Sequence, residues 1–348
     1  MIKQRILYFD YLRFISIIAV LIIHVTAPSL PMSVDDMGWQ INLVFNSMAR
    51  FGVPMFFMIS GALFLNPARD VSLGYLWIKI RRIVIAFLLF SFIYNCLWYV
   101  ATIGLKYNEE LFVRKFIPNL IGGWYHLWYL QALFVLYVLI PILRLIVKDR
   151  IIMRYMILLL FIVCSLFPLI GRIIDIQLFT SNLFENMAID LPKYSLYFLL
   201  GYYVNTISIE KTKQKKSNNL ILIIGLISFF IMIMSDILLS TYNGNVIIVF
   251  SSYMSPFTVV YTVCLFNYLK NRYNNSNLIT KFVSFVSSLS FGIYLVHDFF
   301  LIIAREIKII PFYEYAVVKI PIMVMIVLLL STLLSFILKK VPYLTKCL

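Results

Sequence analysis

Polar punctuation divides this chain into runs of about 20 predominantly apolar residues, the length an α-helix needs to cross the hydrocarbon core of a bilayer. Such runs exclude a soluble domain, whose helices are apolar along one stripe rather than all round. Composition agrees. Of 348 residues, 62% are hydrophobic and 13% charged, against roughly 25% charged in ordinary soluble domains. Ten spans are expected, over residues 8–27, 41–65, 78–104, 127–147, 151–170, 191–207, 220–239, 246–269, 282–303 and 315–338. The fold class is therefore all-α, a polytopic membrane protein of about ten transmembrane helices, with residues 1–348 read as a single integral membrane domain. Basic residues precede the first apolar run, as in a signal peptide, but no small-residue cleavage site follows it. The first span is accordingly expected to be retained.

Orientation follows from charge. With the N-terminus placed in the cytoplasm, 21 of the 30 Lys and Arg residues fall inside and eight outside, with Arg50 in mid-span. Lys and Arg accumulate in cytoplasmic loops, so both termini are expected to be cytoplasmic. The net charge of +15 is then mostly orientation signal rather than a nucleic-acid footprint, with some left over for an anionic cytoplasmic ligand. Cys96, Cys164, Cys264 and Cys347 make no disulfide framework or zinc spacing. The three histidines form no close cluster with Cys or acidic residues, so no metal site is expected.

The first span carries three ionisable residues, Asp10, Arg13 and His24, and such residues inside a span are costly enough to point to function. Arg13 and His24 are 11 residues apart, which puts them within ~20° of one helix face and ~16 Å apart along the axis. Arg13 is thus near the cytoplasmic surface and His24 past the midplane. A histidine, with an ordinary pKa near 6.5, is mostly neutral at pH 7 and can act as a general base. The plainer readings are a packing histidine bonded to a carbonyl, and an anchoring Arg13 paired with Asp10 at i, i+3.

Further along, Arg50-Phe51-Gly52-Val53-Pro54 breaks the second span, which then runs on through Ser60-Gly61. A break at mid-depth is tolerated only against protein or a water-filled cavity, and Arg50 is expected to face such a cavity. Lys79-Ile80-Arg81-Arg82 opens the third span on the cytoplasmic side. It suits phosphate groups through charge-assisted hydrogen bonds, or serves as orientation signal alone. Gly122-Gly123-Trp124-Tyr125-His126-Leu127-Trp128-Tyr129-Leu130 opens the fourth span on the outer side. Its aromatics fit an interfacial belt or a sugar-binding groove. Tyr294 and His297 lie in the ninth span, His297 in its outer half, so all three histidines fall on the outer side.

These residues resemble the acyltransferase-3 family, integral membrane O-acyltransferases that modify bacterial surface carbohydrates. The likeness is carried by Asp10-x-x-Arg13 followed by ten residues and His24, by Val53-Pro54-Met55-Phe56-Phe57-Met58-Ile59-Ser60-Gly61, by His126-Leu127-Trp128-Tyr129-Leu130, and by Tyr294-Leu295-Val296-His297. It extends over nearly the whole chain in order. The family usually has two arginines three apart at the start of the third span. Lys79 and Arg82 take those positions here, and Lys meets phosphate as a point charge rather than a fork. The proline expected shortly after them is missing, with Ala86 nearby.

The resemblance implies acyl-CoA, most often acetyl-CoA, as cytoplasmic donor, without a metal. It implies a hydroxyl of a cell-surface or lipid-linked carbohydrate as outer acceptor, in a bacterial plasma membrane. Arg13, Lys79, Arg81 and Arg82 would bind the donor nucleotide and His24 would be the base, or alternatively carry the acyl group. Arg50, His126, Trp128 and His297 would contact the acceptor, with Asp10, Ser60 and Tyr294 in support. Some members carry an extracellular hydrolase-like domain after the membrane part. None follows here before Leu348, so relay to envelope-glycan assembly enzymes would involve separate proteins. The residues by themselves also fit a transporter of polysaccharide or lipid-linked sugar, although no inverted repeat is visible.

Overall fold

The computed structural model describes residues 6–30, 33, 34, 36–103, 110, 112–174, 191–207, 211–272, 278–310 and 315–342. Among these residues all regular structure is helical. The helices are α1 (Leu7–Thr26), α2 (Met37–Ala49), α3 (Gly52–Phe64), α4 (Leu73–Ile103), α5 (Ile117–Gly122), α6 (Trp128–Ile146) and α7 (Arg150–Phe161). They continue with α8 (Phe167–Ile174), α9 (Ser195–Thr206), α10 (Lys211–Asn243), α11 (Pro256–Lys270), α12 (Leu278–Glu306) and α13 (Ala316–Leu338). Among the described residues, eight stretches are long and apolar enough to cross a membrane. They are α1, α2 with α3, α4, α5 with α6, α7 with α8, α10, α12 and α13. The chain is thus a multi-pass membrane protein.

Two of the ten expected spans are shorter than hydropathy suggests. Residues 191–207 supply the 12-residue α9, preceded directly by a short 3-10 helix at Leu191–Tyr194. In the stretch 246–269, helix begins only at Pro256, and α11 has 15 residues. The physical reason is enclosure. No residue of α11 is exposed, and of α9 only Thr206 is. A helix surrounded by protein need not match the thickness of lipid, and irregular backbone is tolerated beside it if its polar groups are satisfied.

Asp236, fully buried on α10, satisfies them. One carboxylate oxygen accepts from the backbone N–H groups of Val249 and Phe250 at 2.9 and 2.8 Å, and the other from the N–H and hydroxyl of Ser251. At the other end of α9, Lys270 donates to the carbonyls of Val204, Asn205 and Ile207 at 2.9, 2.9 and 2.8 Å. A cation there suits the negative end of the helix dipole.

The first helix is central, packing on α2, α3, α11, α12 and α13. Its N-terminal end is held to α12 by Asp10, which accepts from Ser284 at 2.9 Å and Ser287 at 3.0 Å. Its other end is held to α2, where Asn46 donates to Thr26 at 2.9 Å and to the Ile23 carbonyl at 3.3 Å. Helix α2 ends at the expected break, and α3 starts at Gly52 with Pro54 in its first turn. No intrahelical partner exists there for a proline to forfeit.

Candidate active site

Two features meet along α1. The first is a cavity of about 550 Å³ bordered by α1, α3, α4, α6 and α12. Tyr75, Lys79, Arg82 and Ile83 of α4 line it at i, i+4, i+7 and i+8, one helix face. Arg13 lines it from α1, while α3 contributes Val53, Phe56, Ile59 and Ser60. Its mouth is basic and aromatic, carrying Arg69 and Tyr75. Farther in, its walls are Val20, Val53, Tyr129 and Tyr294. Arg13 and Asp10 form an ion pair at 3.5 Å, and Arg82 lies 5.2 Å from the centre of the Phe291 ring.

The second feature is a triangle of histidines. The ring centres of His24 and His297 are 5.0 Å apart, those of His126 and His297 5.0 Å, and those of His24 and His126 6.1 Å. His126 and His297 are buried, whereas His24 is partly exposed. The Nδ1 of His297 lies 2.6 Å from the Tyr294 carbonyl. A carbonyl only accepts, so Nδ1 carries the proton, and in the neutral ring Nε2 is left as an acceptor. That Nε2 and both ring nitrogens of His126 are buried and have no hydrogen-bond partner among the described residues. Among the described residues no group of His, Cys, Asp or Glu is placed to hold a metal ion.

Tyr294 joins the two features. Its ring lines the cavity, and ring centres of 5.6 and 6.1 Å put it against His126 and His297. Its hydroxyl donates to the His126 carbonyl at 2.6 Å. On α1, Val20 lines the cavity one helical turn before His24.

Asp298, next to His297 and fully buried, organises the far side. It accepts from the Trp124 indole, from the Tyr125 hydroxyl and, at 2.9 Å, from Arg305, and His126 Nδ1 is 3.9 Å away. Trp124 stacks on Tyr94 at 5.6 Å and Tyr125 packs edge-on to His24 at 5.5 Å. Asp298→Ala is expected to destabilise the protein by about 3 kcal/mol, the lower end of the range for breaking a buried pair, since Arg305 keeps 31% exposure. Thermal unfolding in detergent measures this, and an unchanged midpoint would remove Asp298 from that role.

The residues singled out in the sequence divide as follows. Arg13, Lys79, Arg82, Ser60 and Tyr294 line one cavity, and His24, His126 and His297 converge beyond it. Arg81 is exposed and outside the cavity lining, because at 100° per residue it points about 200° from Lys79. Arg50 also departs from expectation. It caps the end of α2 and is directed over Tyr253 of the 245–255 loop, 5.2 Å from the ring centre, rather than lining the cavity. Trp128 packs between Tyr194 and Tyr253 at 5.4 and 5.7 Å. The sequence reading gave no site role to Arg69, Tyr75, Asp298 or Arg305. The helical spacing of Tyr75, Lys79 and Arg82, and of Asp298 and Arg305, was the available signal.

A bundle of membrane-spanning helices that joins a cation-lined cavity to a buried histidine cluster has the parts of a membrane-embedded transferase. The chain belongs to the acyltransferase-3 family: the family model described as an acyltransferase domain matches residues 6–340. It is therefore a membrane O-acyltransferase in general type. No curated protein and no solved structure matches it.

Proposed function

We propose that this protein transfers an acyl group, acetyl in the first instance, from cytoplasmic acyl-CoA to a hydroxyl of a cell-surface or lipid-linked carbohydrate. The transfer would take place across a bacterial plasma membrane. The observation that carries the reading is the continuity of the cavity: its cationic part at Arg13, Lys79 and Arg82 leads to Tyr294, whose ring also touches the histidine cluster. Phosphates of the donor sit among the cations, and the pantetheine arm follows the apolar walls. The thioester then arrives at the level of Tyr294 and of Val20, which stands one turn before His24 on α1.

His24 removes the proton from the acceptor hydroxyl as its oxygen attacks the thioester carbonyl. The tetrahedral intermediate collapses, the carbon–sulfur bond breaks, and the proton held by His24 passes to the departing thiolate. Partial exposure suits His24 to this exchange. Buried His126 and His297 support its ring, and Arg50 and Trp128 flank the acceptor side. Glycan-assembly enzymes of the envelope would supply the acceptor.

The test is to give acetyl-labelled acetyl-CoA to membranes with and without this chain and to measure alkali-labile label in envelope glycans. Label that depends on the chain is expected. Its absence, with other acyl-CoA donors also inactive, would overturn the reading in favour of sugar transport.

A further inference from the structure

The cations deep in the cavity suit any phosphopantetheine thioester, whether the arm hangs from a nucleotide or from a carrier protein. The mouth of the cavity discriminates between them. Tyr75 stands there in the first turn of α4, its side chain 39% exposed, with its backbone N–H donating to the Ser72 hydroxyl at 3.2 Å. Lys79 lies one turn deeper, its ammonium 5.3 Å from the centre of the Tyr75 ring, and Arg82 is about 10 Å farther along the axis than Tyr75. Arg69 and the exposed carboxylate of Asp70 line the same mouth. Their turn is built rather than loose, because Arg144 donates to the carbonyls of Phe64 and Arg69, both at 3.1 Å.

From the mouth inward the chemistry therefore runs from an aromatic face with a carboxylate and Arg69, to Lys79 and Arg82, to apolar wall. Read in the same direction, a CoA thioester presents a purine, then phosphates, then the pantetheine arm. The geometry points to an adenine subsite at Tyr75 and Asp70, which makes the nucleotide itself, and not the phosphopantetheine alone, the recognised handle of the donor. The adenine ring stacks on Tyr75, as bases stack on aromatic side chains generally. Asp70, an acceptor when ionised, takes a hydrogen bond from the exocyclic amino group. Arg69 and Lys79 meet the phosphates beside the base. This inference rests on the donor reading given above and adds its selectivity.

The experiment is direct titration of the full-length chain, purified in detergent, with CoA, pantetheine and an acylated acyl carrier protein. CoA is expected to bind tightest. Tyr75→Ala weakens CoA by about 5- to 150-fold, the span of base–aromatic stacking, and leaves pantetheine unchanged. Tyr75→Phe retains the CoA affinity, and Asp70→Asn weakens CoA a few-fold. Equal CoA binding by Tyr75→Ala and wild type overturns the adenine subsite alone, provided that Arg82→Ala still weakens CoA. An equal loss for CoA and pantetheine overturns it too, by making Tyr75 structural. Tighter binding of the carrier protein assigns the mouth to a protein partner instead. Failure of the wild type to bind CoA at all overturns the donor reading along with this one.

Discussion

Replacing His24 by alanine lowers acyl transfer by about 10²- to 10⁴-fold, the usual contribution of a general base, and leaves CoA binding within a few-fold of wild type. The two halves of this expectation come from different parts of α1. His24 lies in the histidine triangle and is the partly exposed member of it, whereas Arg13, about three turns away, lines the cavity with Lys79 and Arg82. In the proposed mechanism, removing the ring takes away the proton acceptor without touching the cations. Rates of label transfer from acetyl-CoA give the first half and titration with CoA the second. Transfer at the wild-type rate would exclude His24 as the base. Loss of CoA binding with the rate would show that the substitution had disturbed the bundle.

The buried histidines behave differently. His297 is oriented by its Nδ1 contact with the Tyr294 carbonyl, and His126 sits in a segment tied to α12 through Tyr294 and Asp298. Their side chains are sealed from the exterior, and in the proposed mechanism they hold the surroundings of His24.

Much of this arrangement is legible in the sequence because it is local to one helix. A separation of eleven positions between Arg13 and His24 fixes their shared face whatever the rest of the chain does. The break expected at Arg50 to Pro54 is equally local: α2 ends before Arg50, and α3 begins at Gly52 with Pro54 in its first turn. Convergence is not legible in that way. His24, His126 and His297 come from three separate elements, and the sequence indicates only that each lies toward the outer side. The lengths of α9 and α11 were hidden for another reason. Hydropathy measures distaste for water and registers lipid-facing and protein-facing residues alike, so an enclosed short helix looks like a full span. Arg69 reads from sequence as one more positive charge. Its place at the cavity mouth depends on Arg144, 75 residues away, holding its carbonyl.

Gly61→Ala and Gly201→Ala are each expected to abolish most of the folded protein. Helices α3 and α9 touch backbone to backbone: a Cβ on Gly61 would lie 1.9 Å from the Phe198 carbonyl oxygen, and one on Gly201 would lie 2.0 Å from that of Met58. Real Cβ contacts essentially never fall under 3.0 Å, so the helices must part by about 1 Å. No flexible side chain is there to give way. The cost should therefore exceed the ~1–3 kcal/mol typical of overpacking. Gly74→Ala is the control. It is also helical, with nothing within 4 Å of its Cβ position, and it should be neutral or gain up to about 1 kcal/mol from reduced chain entropy. Monodisperse yield and the thermal midpoint in detergent distinguish the cases, and a Gly61→Ala protein as stable as wild type would refute the close contact. The consequence reaches the site because α3 is two-faced. Phe57, Met58 and Gly61 are buried, with Gly61 and the Met58 backbone against α9, while Val53, Phe56, Ile59 and Ser60 line the cavity. Pushing α3 away from α9 moves it toward the cavity, so on the proposed donor reading any Gly61→Ala protein that survives purification should bind CoA more weakly than wild type.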